Sequence, residues 1–193
     1  MKLQDRLPDG VTVDGKCYRL DFDFRNVLRM MEELDRDDVM DEARYYRAMK
    51  CLTRRPRNCE KVIAAVRSLL FTETPKKDAK KVTDFEQDAG LIRAAFRQAY
   101  GIDLYHDRLH WMAFVELLNA IPGASRYAEV VGIRARELPA ATKWNSAERE
   151  WLMKAKVEVA LHMSEDEREE QYQKDVANIA QALIAWAGEK KNG

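Results

Sequence analysis

Glycine and proline are scarce in this chain, at eight and five of 193 residues. Few positions therefore force a turn or break a helix, and long regular segments can run uninterrupted. Cysteine is scarcer still. Cys17, Cys51 and Cys59 are odd in number and widely spaced, and no CxxC pair occurs. That excludes a disulfide framework and argues against a structural zinc site. Reduced thiols in a cytoplasm fit better. Neither charge sign is in excess: 33 Lys and Arg balance 33 Asp and Glu. No global field draws the chain to nucleic acid or an anionic membrane. No apolar run approaches the roughly 20 residues that span a bilayer. The charges scattered from Met1 to Asp21 do not suit a signal peptide. Phosphate-binding loops, dinucleotide fingerprints and nucleophile elbows are missing, and no internal repeat of constant period is present.

What is there reads as a folded helical protein. Hydrophobic residues make up 46% and charged residues 34%, too apolar a balance for disorder. Near the N-terminus, Val11-Thr12-Val13 and Lys16 to Leu20 flank Asp14-Gly15, a tight-hairpin signal. A lone hairpin is marginal in water and must pack on something. Helical spacing then takes over. Phe24, Val27, Leu28, Met31 and Leu34 form one stripe behind the cap Asp23. Ala43, Tyr46, Met49 and Leu52 form a second, from Asp41 to Leu52. Pro56 breaks that helix. Asn58 is placed to cap a third, with Val62, Ile63, Val66, Leu69 and Leu70 inward. Beyond it lies a charged stretch, Thr72 to Lys81, with no apolar periodicity. It divides the chain into an N-terminal region of hairpin and helices (residues 1–72), a linker or loop (73–82) and a C-terminal helical region (83–193), unless the whole is one continuous domain.

In the C-terminal region Asp84 is placed to cap a helix carrying Phe85, Ala89, Ile92, Ala95, Phe96 and Ala99, stopped at Gly101. Asp107 is placed to cap the next, with Leu109, Trp111, Met112, Phe114, Val115 and Leu118. Ser125 opens a shorter one with Tyr127, Val130, Val131 and Ile133. A helix from Ser146 to His162 carries Trp151, Leu152, Ala155, Val159 and Leu161. A capping box at Ser164 to Glu167 starts a last one with Val176, Ile179, Leu183 and Trp186. The fold class is mainly α: a bundle of about seven to eight helices with a small N-terminal β-hairpin.

Few groupings of residues suggest chemistry. His106 and His110 stand four apart, the spacing of helical zinc ligands, but no HExxH pattern and no third ligand accompany them. Cys51 and Cys59 lie beside basic residues, which lower a thiol pKa; no base and orienting partner complete a catalytic set. Asp84, Glu86 and Asp88 suit the positive end of a helix dipole. The runs Arg54-Arg55-Pro56-Arg57 and Lys76-Lys77…Lys80-Lys81 offer phosphate contacts or simply a solvated surface. No catalytic, cofactor or metal residue is therefore assigned. Trp111 and Trp151 fall within apolar stripes, the usual place of core residues. As candidate partner contacts the sequence offers its large aromatics Trp111, Phe114, Tyr127 and Trp186.

From Asp84 to Leu138 the order of residues carries more than periodicity. Asp84-Phe85-Glu86, Asp88-Ala89, Ile92, Ala94-Ala95-Phe96 and Tyr100-Gly101-Ile102-Asp103-Leu104, then Leu109-His110-Trp111, Phe114, Val131 and Ile133-Arg134, resemble a bacteriophage family named "gp-fifteen". Asp5-Arg6-Leu7-Pro8, Asp14-Gly15-Lys16, Tyr18, Phe22 and Phe24-Arg25 are also similar to it, whereas Asp38 to Lys81 and the stretch after Pro139 are less so. Such genes usually precede the tape-measure gene of long-tailed phages and prophages. The resemblance implies a non-enzymatic tail-assembly chaperone in the host bacterial cytoplasm. It would bind the tape-measure protein, help recruit tail-tube subunits and be absent from the virion. A homo-oligomer is compatible with that role. The competing reading is a small nucleic-acid-associated or regulatory phage protein that uses the basic loops.

Overall fold

In a computed structural model of the chain, residues 2, 4–71 and 81–162 are described. Trp186, the last helix and nearly all of the charged linker lie outside them. The described residues form a two-stranded hairpin followed by seven helices, so the protein is mainly α. The chain divides into two compact units. One comprises residues 1–81 and 88–132, and the other residues 82–87 and 133–193.

The first unit opens with β1 (Gly10–Val13) and β2 (Lys16–Arg19), antiparallel, with Val13 opposite Lys16. Asp14 and Gly15 make the turn at φ 50° and 72°, the positive values that a two-residue hairpin loop requires. Gly10 has a different constraint. A β-carbon built there would lie 2.1 Å from the Tyr18 carbonyl oxygen on the facing strand. The hairpin is not alone. Lys61 Nζ reaches Asp14 Oδ2 at 2.9 Å. Asn58 does precede α3 (Cys59–Leu70), as its sequence position predicts. Its side chain makes no cap bond there, because its backbone is left-handed at φ 49° rather than extended as a capping residue's is.

Helices α1 (Phe24–Leu34) and α2 (Asp41–Leu52) form an antiparallel hairpin. The Asp21 N–H donates to the Leu52 carbonyl at one end, and Arg44 reaches Asp37 at the other. Asp23 caps α1 as expected, its Oδ1 accepting from the Arg25 N–H at 3.1 Å. The α2 stripe sits slightly differently from the sequence reading. Ala48, Met49 and Leu52 are buried, while Ala43 and Tyr46 face solvent. With α3 these helices build an aliphatic core of Val27, Met30, Met49, Leu52, Val62, Ile63 and Val66, each at most 2% exposed.

Three helices follow: α4 (Ala89–Tyr100), α5 (Trp111–Asn119) and α6 (Arg126–Ala135). Gly101 ends α4 at φ 68° with its N–H on the Arg97 carbonyl, the left-handed stop that glycine takes without strain. Ser125 Oγ accepts from the Ala128 N–H at 3.2 Å and caps α6. Two expected caps fall elsewhere. Asp84 Oδ1 accepts from the N–H groups of Glu86 and Gln87, 2.9 Å each, and so closes a local turn, while α4 starts only at Ala89. The Asp107 carboxylate accepts from the Asp103 N–H at 2.7 Å. The cap of α5 is His110.

The second unit contains the end of α6 and α7 (Ser146–Glu158). Side chains bonded to backbone carbonyls hold it together. Lys156 Nζ donates to the carbonyls of Ile133 and Arg134 at 2.9 and 3.1 Å, at the end of α6. In return, buried Arg134 donates through Nε to the Val159 carbonyl, just past α7, at 2.6 Å, and reaches the Val82 carbonyl at 3.1 Å. Each cation thus sits at the negative end of the other helix, where unpaired carbonyls collect. Gln87 ties the 82–87 segment in, donating to the Ala160 carbonyl and accepting from the His162 N–H. No helix among the described residues is long and apolar enough to cross a membrane.

Candidate partner-binding surface

The motif from Asp84 to Phe114 builds an aromatic nest in the first unit. The Phe114 ring stacks on Phe24 at 4.7 Å and on Phe96 at 5.2 Å, with Trp111 at 5.8 Å. Phe71 packs on Trp111 at 5.7 Å. Stacked rings at these spacings gain beyond their buried area. The segments that carry them are also joined along the backbone. The Phe24 N–H donates to the Leu109 carbonyl at 2.9 Å, and the Trp111 N–H to the Phe22 carbonyl at 2.7 Å. Arg25 donates to the carbonyls of Leu104 and Asp107 at 3.1 and 2.6 Å. Arg108 grips Asp21 with two bonds of 2.8 and 2.7 Å. Each partner in these bonds lies far from the other in sequence, so the loop from Asp103 to His110 is pinned on several sides.

His110 is the centre of that loop. Its Nδ1 accepts from the Met112 N–H at 3.1 Å, and its Nε2 lies 3.0 Å from the Pro8 carbonyl. An amide can only donate and a carbonyl can only accept, so the ring carries its one proton on Nε2. Both nitrogens are thereby used in holding the fold. His106 is exposed, with Nδ1 3.3 Å from Asp103 Oδ2. The two histidines occupy a turn and a cap rather than one helix face. No cluster of three or more potential metal ligands occurs among the described residues.

The cysteines also depart from the sequence reading. Burial pushes the Cys51 thiol up, and the Glu33 carboxylate adds to this; burial likewise raises Cys59. Desolvation outweighs the basic neighbours, and the nucleophilic thiolate is disfavoured at both positions.

Of the aromatics proposed as partner contacts, Trp111, Phe114 and Tyr127 are 4%, 1% and 7% exposed. Their side chains belong to the core. The exposed tryptophans lie in the second unit instead. Trp144 is 93% exposed, Trp151 55% and Val157 79%, and Met153 is also open. The sequence stripe places Trp151 inward. In the structure it is Leu152, the next residue, that is fully buried, and a shift of one residue turns a helix by about 100°. Met153 and Val157, four apart, stand on one outward stripe, and Trp151 opens on a separate side, about 160° round the helix from Met153. The backbone before α7 is held in a knot. Asn145 Oδ1 accepts from the Thr142 N–H at 2.9 Å, its Nδ2 donates to the Ala140 carbonyl at 2.8 Å, and the Arg149 guanidinium donates to the Pro139 carbonyl. Trp144 sits within that knot, so its backbone is fixed while its ring projects into solvent. Between the apolar positions run Glu150 and Lys154, paired at 2.7 Å. The surface thus carries exposed apolar side chains separated by charge, on a helix whose buried side chain is Leu152.

No curated protein and no solved structure is significantly similar to the chain. The family model described as Bacteriophage Gp15 protein matches residues 3–161, from the N-terminal arm past the end of α7, and the chain belongs to that bacteriophage family.

Proposed function

We propose that the protein is a non-enzymatic tail-assembly chaperone, binding the tape-measure protein of its phage or prophage through the outer face of α7 and Trp144. Membership of a bacteriophage family supports the setting. The observation that carries the binding reading is the exposure of two tryptophans, Trp144 and Trp151, 93% and 55% open, together with that of Met153 and Val157 on α7. A nearly fully exposed tryptophan costs solubility unless it meets a partner, and tryptophan, with tyrosine and arginine, is enriched at binding hot spots. A tape-measure protein is a long helix, and an amphipathic helix recognises such a face by laying an apolar stripe on it. Many weak contacts along one long partner suit a chaperone, since tight binding would block release. The host cytoplasm is the site of action, and the finished virion lacks the protein. Tail-tube subunits are recruited to the same complex.

Co-expression with the tape-measure protein tests this reading. The expected result is a soluble complex that co-purifies with this chain, and insoluble tape-measure protein when Trp144→Ser and Trp151→Ser are introduced together. Equal solubility with and without this chain contradicts it.

A further inference from the structure

The α1–α2 hairpin separates its charges end to end. From Glu32 to Arg44 there are seven carboxylates and two guanidinium groups; from Tyr45 to Arg57 there are five cations and no anion. A chain with no net charge thus places an acidic pole at the tip of one helical hairpin and a basic pole at its base. Near the basic pole, between the helices, lies an open groove of about 500 Å³ lined by Asn26, Arg29, Glu33, Arg47, Lys50 and the exposed ring of Tyr46. At the acidic tip Met40 is exposed.

Internal pairing leaves most of this field in place. Arg36 takes Asp38 at 2.6 Å, and Arg44 takes Asp41 and, at 3.8 Å, Asp37. Glu33 lies 3.8 Å from Arg36 and 3.9 Å from Arg47. Arg54, Arg55 and Arg57 are exposed beyond the end of α2. The twelve residues of α2 span about 18 Å. Screening acts over about 10 Å at ordinary salt, so apart from the Glu33–Arg47 contact the two poles of one molecule do not neutralise each other.

We propose that the outer face of the α1–α2 hairpin is a self-docking surface, on which two copies of this chain pair antiparallel. The acidic tip of each copy meets the basic base of the other. The order of charge identifies the occupant. A nucleic acid would be repelled by the seven carboxylates of the same hairpin, and an acidic peptide would satisfy only one pole. A partner with the reverse charge order satisfies both, and a two-fold axis supplies that order from an identical chain. Tyr46 and Met40 give the pair some apolar contact. The rest is exposed charge, worth little per pair, so the dimer is weak and salt-sensitive.

Sedimentation velocity of the full chain at low and high salt tests this, using two variants that avoid the closest internal ion pairs. Asp37→Lys with Glu42→Lys weakens the acidic pole; Arg54→Glu with Arg55→Glu weakens the basic one. Helical content by circular dichroism confirms that each folds. The wild-type chain is expected to self-associate at low salt and dissociate at high salt. Each variant alone should associate on the order of tenfold more weakly, as the loss of a few exposed pairs would give. Mixing the two should restore pairing, and so should the four changes in one chain. A wild-type chain that stays monomeric at low salt overturns the proposal, as does self-association indifferent to salt and to the substitutions, or a fourfold variant that fails to recover. If instead the basic-pole variant keeps its self-association and loses retention on DNA, the basic pole is a nucleic-acid surface and the proposal fails.

Discussion

His110 shows how one side chain can hold two segments of a fold. It caps α5 through Nδ1 and anchors the N-terminal arm through Nε2 on the Pro8 carbonyl. A lost cap costs about 0.5–2 kcal/mol and a lost hydrogen bond about 0.5–1.5. His110→Ala should therefore destabilise the protein by about 1–3 kcal/mol in urea unfolding. His110→Asn, which retains a capping group, should recover roughly half of that. Gly10 is constrained in a different way, because any β-carbon there meets the Tyr18 carbonyl. Gly10→Ala should lower the melting temperature, whereas Gly90→Ala, where a β-carbon meets nothing within 4 Å, should not. Among the acids, the side-chain bond from Arg36 holds Asp38 down to about 2, against an ordinary 3.8. A depressed carboxylate contributes fully above its unfolded value and loses that contribution as pH falls through the folded one. An NMR titration should therefore place the Asp38 midpoint at about 2, and Arg36→Gln should return it toward the ordinary carboxylate range.

At the scale of elements, local chemistry made much of the fold legible. Asp14-Gly15 is the turn that its dipeptide announces, and Asp23, Ser125 and Gly101 cap where their positions suggest. Local reading fails where backbone conformation or another hydrogen bond takes the residue away from the cap. Asn58 has left-handed backbone and makes no cap bond, Asp107 accepts from the Asp103 N–H four residues back, and the cap falls to His110, a histidine pinned by the distant Pro8 carbonyl. The candidate site was less legible than the fold. Trp151, Leu152 and Met153 are consecutive apolar residues, so periodicity alone leaves the phase of α7 open, and packing selects Leu152. Trp144 lies outside any helix and so belongs to no stripe. The only hint was a bulky aromatic between polar residues, Thr142-Lys143 and Asn145-Ser146. Two adjacent substitutions should separate the roles. Leu152→Ala should cost about 2–5 kcal/mol as a buried truncation. Trp151→Ser should change stability by less than about 0.5 kcal/mol, as exposed positions do. Thermal unfolding of the two variants checks both.

At the scale of the whole molecule, the segments most like the family are spent on architecture. The aromatic nest, the pinned loop and the His110 cap use the central motif to build the first unit. The surfaces left open lie elsewhere: exposed apolar residues on and just before α7 in the second unit, and a charge-divided hairpin in the first. This division suits a chaperone, in which a stable core presents faces whose contacts stay individually weak. It also accounts for the burial of Trp111, Phe114 and Tyr127, the most prominent aromatics of the motif. The most direct measurement is the affinity of the folded chain for tape-measure segments, compared between wild type and the Trp144→Ser, Trp151→Ser double variant. With hot-spot tryptophans worth about 2 kcal/mol or more each, the expected result is a loss of about 30-fold per tryptophan, approaching roughly 1,000-fold for the pair, at unchanged stability. Equal affinity of the two proteins, or no binding by either, would contradict the assignment of this face as the partner site.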